Sequence, residues 1–298
     1  MKSRGLIIAV VLFCAGAQAE TPNPASSLPP PVDGLPVGWC IRAKPEVFAD
    51  AKAAGFEYVE LALQDVLPLT DENFAKLKAT LEQLNLPARS GYNPVPKEIK
   101  LVGPDVDEAK QSAHVDHLLA RAAELKLKFI VLNSAASWRV PEGFDHEKAF
   151  GQLADFSRRF AEAADKKGIV LLIEPMRGTD ANMITNIAEA LKLVETVGRP
   201  NFQMMVDYSF LTIQQDDPRN LLTVGDHLRN VHISNPAANR SYPMNDGESD
   251  YAAFFRVLKQ IHYRGGLSVH GGTQSFTNDA PRAITFLRGK ARELAGQP

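Results

Sequence analysis

Short apolar runs alternate with longer amphipathic stretches from Val37 onward. The runs are Val37 to Ile41, Tyr58 to Leu61, Ala88 to Tyr92, Phe129 to Leu132, Ile169 to Ile173, Phe202 to Val206, Leu228 to Ile233 and Leu267 to Val269. Brevity and near-continuous apolarity predict strands buried on both faces. Helical spacing fills the gaps between them. Phe74, Leu77, Leu81 and Leu84 make one face of a helix over Asp71 to Leu84. Further helices are predicted over Pro45 to Ala54, about Val106 to Leu125, and from an Asp145 cap to Lys167, with Gly168 as the stop. Others cover Ile187 to Val197 after an Asn186 cap, Tyr251 to Ile261, and a last segment starting near Asp279-Ala280-Pro281, with proline in its first turn. Eight strand–helix units in about 260 residues predict an α/β fold, a single-domain (β/α)8 TIM barrel over residues 37–298. A doubly wound open sheet is the alternative. It usually carries a glycine-rich turn after its first strand, where this chain has G-W-C-I-R-A-K.

The ends of the last four strands carry chemistry. The fifth run ends on Glu174 before Pro175, the sixth on Asp207, the seventh holds His232, and the eighth leads to His270. A carboxylate at the tip of a buried strand is costly unless it is paired or coordinated. Barrels of this kind work at the C-terminal ends of their strands, so the four side chains are expected around one point. A lone histidine there is more often a structural hydrogen-bonding residue. Two carboxylates and two imidazoles together suit one divalent ion, with Mn, Co, Fe or Zn favoured over Mg.

Composition narrows the partners. With 298 residues and 45% hydrophobic content the chain can bury a large core. A formal charge of −2 and a pI near 6.4 give no footprint for nucleic acid or acidic membrane. Lys2 and Arg4, the apolar Leu6 to Phe13 and the A-x-A site at Ala17 to Ala19 predict a cleaved signal peptide over residues 1–19 and a secreted or periplasmic protein. The apolar part is too short to span a bilayer. Residues 20–36 are rich in proline, serine and alanine and read as an extended linker. After cleavage Cys40 is the remaining cysteine, so no disulfide within the chain is expected and Cys40 reads as a small buried hydrophobe.

Four stretches carry a resemblance: G-F-E-Y-V-E-L at Gly55 to Leu61, L-I-E-P-M-R-G-T-D-A-N at Leu172 to Asn182, M-V-D-Y at Met205 to Tyr208, and N-V-H-I-S-N…N-R-S-Y-P at Asn230 to Pro243. In order and spacing the chain resembles the xylose-isomerase-like TIM barrels, in the branch of ketose 3-epimerases, hydroxypyruvate isomerases and related sugar-phosphate isomerase/epimerase-type proteins. The resemblance implies a small-molecule carbohydrate substrate and a divalent ion held by four residues, three of them matched by Glu174, Asp207 and His232. It implies proton transfer next to a carbonyl, with the ion stabilising an enediolate and two glutamates on opposite faces of the substrate moving the proton. Arg240 matches an arginine near substrate or a metal-linked carboxylate, Glu60 a family strand-two glutamate that is expected either to bind a substrate hydroxyl or to form a structural ion pair inside the barrel mouth, and Asn182 a family asparagine that orients the loop after Glu174. Trp138 and Arg139, after the fourth strand, are expected to wall the sugar site. Trp39 is expected in the core or the pocket wall, and His114 and His117 on a solvated helix face.

The departures bear on mechanism. His270 stands where the family has its last glutamate, Asn235 replaces an aspartate, and Phe210 replaces a histidine three residues past Asp207. Without a second glutamate a one-base reaction survives better than a two-base epimerisation, with Glu174 and His270 as the candidate catalytic groups. The expected activity is therefore an exported, metal-dependent sugar isomerase or epimerase. A lyase acting by β-elimination on keto-sugars or keto-glycosides is the competitor, and a non-catalytic sugar-binding barrel the alternative of another class. Related barrels that cut DNA use more metal ligands and a basic groove, which this chain lacks.

Overall fold

The computed structural model describes residues 35–237 and 239–295. The expected signal peptide, and all of the linker except Leu35 and Pro36, lie outside the described residues. Those two belong to the packed domain: Leu35 is buried, and the Pro36 carbonyl accepts a hydrogen bond from Leu267 N at 3.0 Å.

Eight strands close into a barrel: β1 (Val37–Ile41), β2 (Tyr58–Ala62), β3 (Ala88–Tyr92), β4 (Phe129–Leu132), β5 (Val170–Ile173), β6 (Phe202–Asp207), β7 (Leu228–Ile233) and β8 (Gly266–Val269). Each pairs in parallel with the next, and β8 returns to β1. The helices are α1 (Phe48–Ala54), α2 (Leu63–Val66), α3 (Asp71–Gln83), α4 (Glu108–Glu124), α5 (Ala135–Trp138), α6 (His146–Asp165), α7 (Ile187–Val197), α8 (Tyr208–Gln214), α9 (Tyr251–Gln260) and α10 (Phe276–Ala295). The expected barrel is thus the observed one.

Capping follows the sequence where short polar side chains precede apolar faces. Asp145 accepts from Lys148 N at 2.7 Å and Asn186 from Glu189 N at 2.9 Å. Three expectations need correction. The segment at Pro45 opens as a 3-10 turn, Pro45–Val47, before α1. The last helix begins at Phe276, so Pro281 lies inside it. Helices α2, α5 and α8 were not legible, because each is a turn or two long and directly follows a strand.

Two apolar layers result from the period-two alternation of the strands. One lies between strands and helices and takes in Val59, Leu61, Ile130, Leu132, Val206 and Leu267. The other lies inside the barrel and gathers Cys40, Ala62, Tyr92, Phe129, Val131, Leu172 and Met205. β2, β3, β7 and β8 also send polar side chains inward: Glu60, Ser90, Asn230, His232 and Ser268 are all buried. Tyr58 sits below them, its hydroxyl 2.7 Å from Ser268 Oγ. Glycine makes room for its ring, since a Cβ at Gly38 would come within 2.1 Å of Tyr58 Cε2.

Gly38→Ala is expected to destabilise the barrel by about 1–3 kcal/mol through overpacking. Urea unfolding followed by circular dichroism measures the shift, and an unchanged midpoint would mean that Tyr58 does not fill this space.

Candidate active site

Strand register brings the expected residues together. Asp207 on β6 pairs with His232 on β7, Glu174 follows the end of β5, and His270 follows β8. The side chains of Glu174, Asp207 and His232 are fully buried; that of His270 is 23% exposed and faces the mouth. Donor atoms form a chain around one point. Glu174 Oε1 is 3.6 Å from His232 Nδ1, His232 Nδ1 is 3.1 Å from His270 Nδ1, and His270 Nδ1 is 3.5 Å from Asp207 Oδ2.

Each group has a distinct setting. Glu60 lies below His232, 3.1 Å from its Nε2, and also accepts from Ser90 Oγ, Ser268 Oγ and Asn230 Nδ2. Burial pushes the Glu60 carboxyl up, but His232 and the two hydroxyls outweigh it and hold it at about 2. Burial pushes His232 down, and the surrounding Cys40, Glu60 and Glu174 carry it well above the usual imidazole value. Burial also lowers His270 and outweighs the opposing pull of Asp207. For Asp207, burial raises the carboxyl, and His270 and Arg240 bring it below its ordinary value. Arg240 Nη2 is 2.5 Å from Asp207 Oδ2 and donates to the His270 carbonyl at 3.0 Å. The other Asp207 oxygen caps α8, accepting from Ser209 N at 2.9 Å.

These residues fit a divalent ion. Glu174 Oε2 accepts from Asn133 Nδ2 at 2.8 Å, but Oε1 is buried with no donor. A buried carboxylate oxygen left unsatisfied costs about 1–3 kcal/mol or more. It faces the one nitrogen of His232 that Glu60 does not occupy. A carboxylate oxygen and an imidazole nitrogen facing each other make a place for a cation, either a proton on His232 or a bound divalent ion. Glu174 Oε1, an Asp207 oxygen and a His232 nitrogen lie within 4.8 Å of one another. Ligands about 2.0–2.2 Å from one ion sit about 3–3.5 Å apart when adjacent, the spacing seen here. Charge agrees: three buried carboxylates outnumber the cationic side chains beside them, Arg240 and the raised His232, so the cluster is net negative.

The other expected site residues sort differently. Arg240 is where the resemblance put it, on the carboxylate of Asp207, an expected metal ligand. Glu60 is not a substrate ligand, because it is fully buried and its oxygens are taken by four internal donors. Trp138 does not wall the mouth; its side chain is fully buried in the layer outside the strands. Asn182 uses both amide atoms on the Val140 backbone, at 2.9 Å each, and so ties the loop after Glu174 to the loop after β4. Arg139 is exposed and donates to the Asp180 carbonyl across the same pair of loops. His114 and His117 are not merely solvated: they reach the Pro94 and Leu67 carbonyls at 2.7 and 3.2 Å. Trp39 stacks on Phe56 and Phe276 with centroids 5.5 and 4.6 Å apart.

Sequence reasoning missed Asn133, Tyr92 and the chemical setting of Cys40. Asn133 obeys the strand-end rule after β4 but carries no charge to draw notice. Tyr92, at the end of β3, packs its ring 5.4 Å from His270. Cys40 is buried beside His232, and burial raises its thiol to about 12. With His232 and His270 it makes a second close donor set, protonated and therefore a poor ligand by itself.

Comparison with known proteins agrees with this geometry. Residues 48–288 match the family described as xylose isomerase-like TIM barrel. The L-ribulose 3-epimerase of Methylomonas sp. (strain DH-1) is 27% identical over 237 residues, covering 77% of this chain and 79% of that protein. The 3-dehydro-D-guloside 4-epimerase of Escherichia coli (strain K12) is 25% identical over 238 residues, covering 76% and 86%. A crystal structure of D-allulose 3-epimerase from Methylomonas sp. in complex with D-allulose shares the fold, with a TM-score of 0.76, 22% identity and 88% and 98% coverage.

Asn133→Ala removes the donor to Glu174 Oε2 and is expected to weaken divalent-ion binding by about 10- to 100-fold. Asn182→Ala, which frees only Val140, should leave affinity unchanged. Competition with a metallochromic chelator reads both, and equal affinities would break the link between Asn133 and the ion.

Proposed function

Because the chain belongs to the xylose isomerase-like TIM-barrel family, we propose that this enzyme of the sugar isomerase and epimerase kind is metal-dependent and removes a proton beside the carbonyl of a carbohydrate substrate. The observation that carries this is the unpartnered Glu174 Oε1 facing His232 Nδ1 in a buried cluster of net negative charge. Glu174, Asp207 and His232 would hold one Mn, Co, Fe or Zn ion, with His270 as the fourth ligand. Such an ion, when bound, supplies a Lewis acid that draws charge from neighbouring substrate oxygens as the proton leaves.

The rest is the work of side chains. Glu174 keeps a lone pair on Oε2 beyond the one that Asn133 uses, and serves as the base. Arg240 fixes Asp207 and the His270 backbone in one grip. His270 turns Nδ1 inward, so its Nε2, with no hydrogen bond among the described residues, is left for substrate at the mouth. Tyr92 shields the imidazole face. The relatives named above act on ketoses and keto-glycosides, and a keto-sugar is the substrate class we assign here.

A lyase is the second reading, favoured by one observation: after β8 the cluster is completed by the His270 imidazole and not by a second glutamate. Glu174 would take the proton and His270 would hydrogen-bond a departing oxygen, so that elimination needs no return of the proton. We also place the protein outside the cytoplasm, with residues 1–19 removed on export; N-terminal sequencing of the exported protein should begin at Glu20.

The test is solvent exchange. Protein loaded with Mn2+ is expected to wash deuterium from D2O into the carbon beside the carbonyl of a keto-sugar. Chelation should abolish exchange, and Glu174→Gln should slow it by about 10²–10⁴-fold. An enone chromophore in place of a deuterated sugar selects the lyase reading. Exchange that survives chelation overturns the metal-dependent mechanism, and sugar binding without exchange overturns catalysis altogether.

A further inference from the structure

Glu60 is the one buried carboxylate of the barrel interior that the mechanism above leaves without a part. Its four internal donors come from three other strands: Ser90 on β3, Asn230 and His232 on β7, and Ser268 on β8. A carboxylate offers about four good acceptor sites, so none remains for a ligand. Three of these donors are neutral, and among the described residues no arginine or lysine pairs with Glu60. Its negative charge is therefore directed at His232 Nε2, 3.1 Å away.

That contact decides which nitrogen is free. Glu60 accepts only, so the proton of a neutral His232 must sit on Nε2. The lone pair then sits on Nδ1, which faces Glu174 Oε1 at 3.6 Å and His270 Nδ1 at 3.1 Å. Were the other tautomer present, an N–H would point into the donor cluster and Glu60 would face a second lone pair deep in the barrel. A negative charge behind an imidazole also makes the ring a stronger donor to a cation on its far side.

We propose that Glu60 is a positioning residue: from inside the barrel it fixes the Nε2–H form of His232 and turns Nδ1 toward a divalent ion held with Glu174 and Asp207. This rests on the metal-dependent reading above. The supporting serines and Asn230 hold the carboxylate, and the carboxylate holds the ring. The interior polar stack is thus the back wall of the metal centre as well as a structural pin.

The experiment uses Zn2+ alone, without substrate. In zinc-loaded wild-type protein, 15N-detected histidine spectra should show His232 protonated at Nε2 and metal-bound at Nδ1. Glu60→Gln preserves volume and removes the charge, and should weaken Zn2+ binding by about 10- to 100-fold. Ser268→Ala removes one hydroxyl from Glu60 without touching the His232 contact; it should lower the melting temperature while leaving zinc affinity near wild type. A Zn–Nε2 bond, or Glu60→Gln with unaltered affinity in a protein that Glu174→Gln still strips of zinc, overturns the positioning role alone. Wild-type protein whose zinc affinity is indifferent to Glu174→Gln removes the metal-centre reading, and this inference with it. The wild-type spectrum decides the tautomer even if Glu60→Gln does not fold.

Discussion

Three carboxylates are buried within one barrel, and the arrangement of the mouth follows from how each is tolerated. An isolated buried charge is among the least favourable features a fold can contain. Glu60 is surrounded by neutral donors and one imidazole. Asp207 shares one oxygen with Arg240 and spends the other on the N-terminus of α8. Glu174 is satisfied on one oxygen only, by Asn133. The unmet demand is thus confined to a single point, and it lies where His232 and His270 aim their nitrogens.

Much of this was legible in the chain, for a physical reason. Runs buried on both faces must be apolar, so a charged or imidazole residue at their ends stands out, as at Glu174, Asp207, His232 and His270. The same rule exposes the barrel, since β1 through β8 were found nearly to the residue. The resemblance to a known family then gave Arg240 its partner. What stayed hidden depends on which way a side chain points. Glu60 and Trp138 flank or end strands just as the true mouth residues do, yet one points into the barrel floor and the other into the layer beneath the helices. Asn182 keeps its family position but uses its amide to splice two loops. Pro281 looked like a helix start because proline is tolerated in a first turn; here Phe276 extends the helix upstream, where it stacks on Trp39.

The loop after β7 shows how tightly the site is tied to the scaffold. Arg240 adopts a positive φ of 59°. Its carbonyl accepts from Gly272 N at 2.8 Å, and its guanidinium reaches Asp207 and the His270 carbonyl. A Cβ at Gly271 would meet the Arg240 carbonyl oxygen at 2.1 Å. Gly271 therefore lets the loop lie directly against the end of β8. Phe210, in place of a family histidine, gives the guanidinium an aromatic face with its centroid 4.6 Å away.

His270 bears on the proposed chemistry more than on the proposed ion site. A glutamate there would add a fourth carboxylate to a cluster in which, among the described residues, Arg240 is the arginine that pairs with one. An imidazole at 270 adds no negative charge. His270 Nδ1 still points at the donor cluster, so the proposed ion would keep a fourth ligand. With Nδ1 given to the proposed ion, Nε2 would carry the ring's one proton, so His270 would have no lone pair left to take a proton from the far face of the substrate. The proposed proton removal would then fall to the Glu174 side, as a one-base reaction requires.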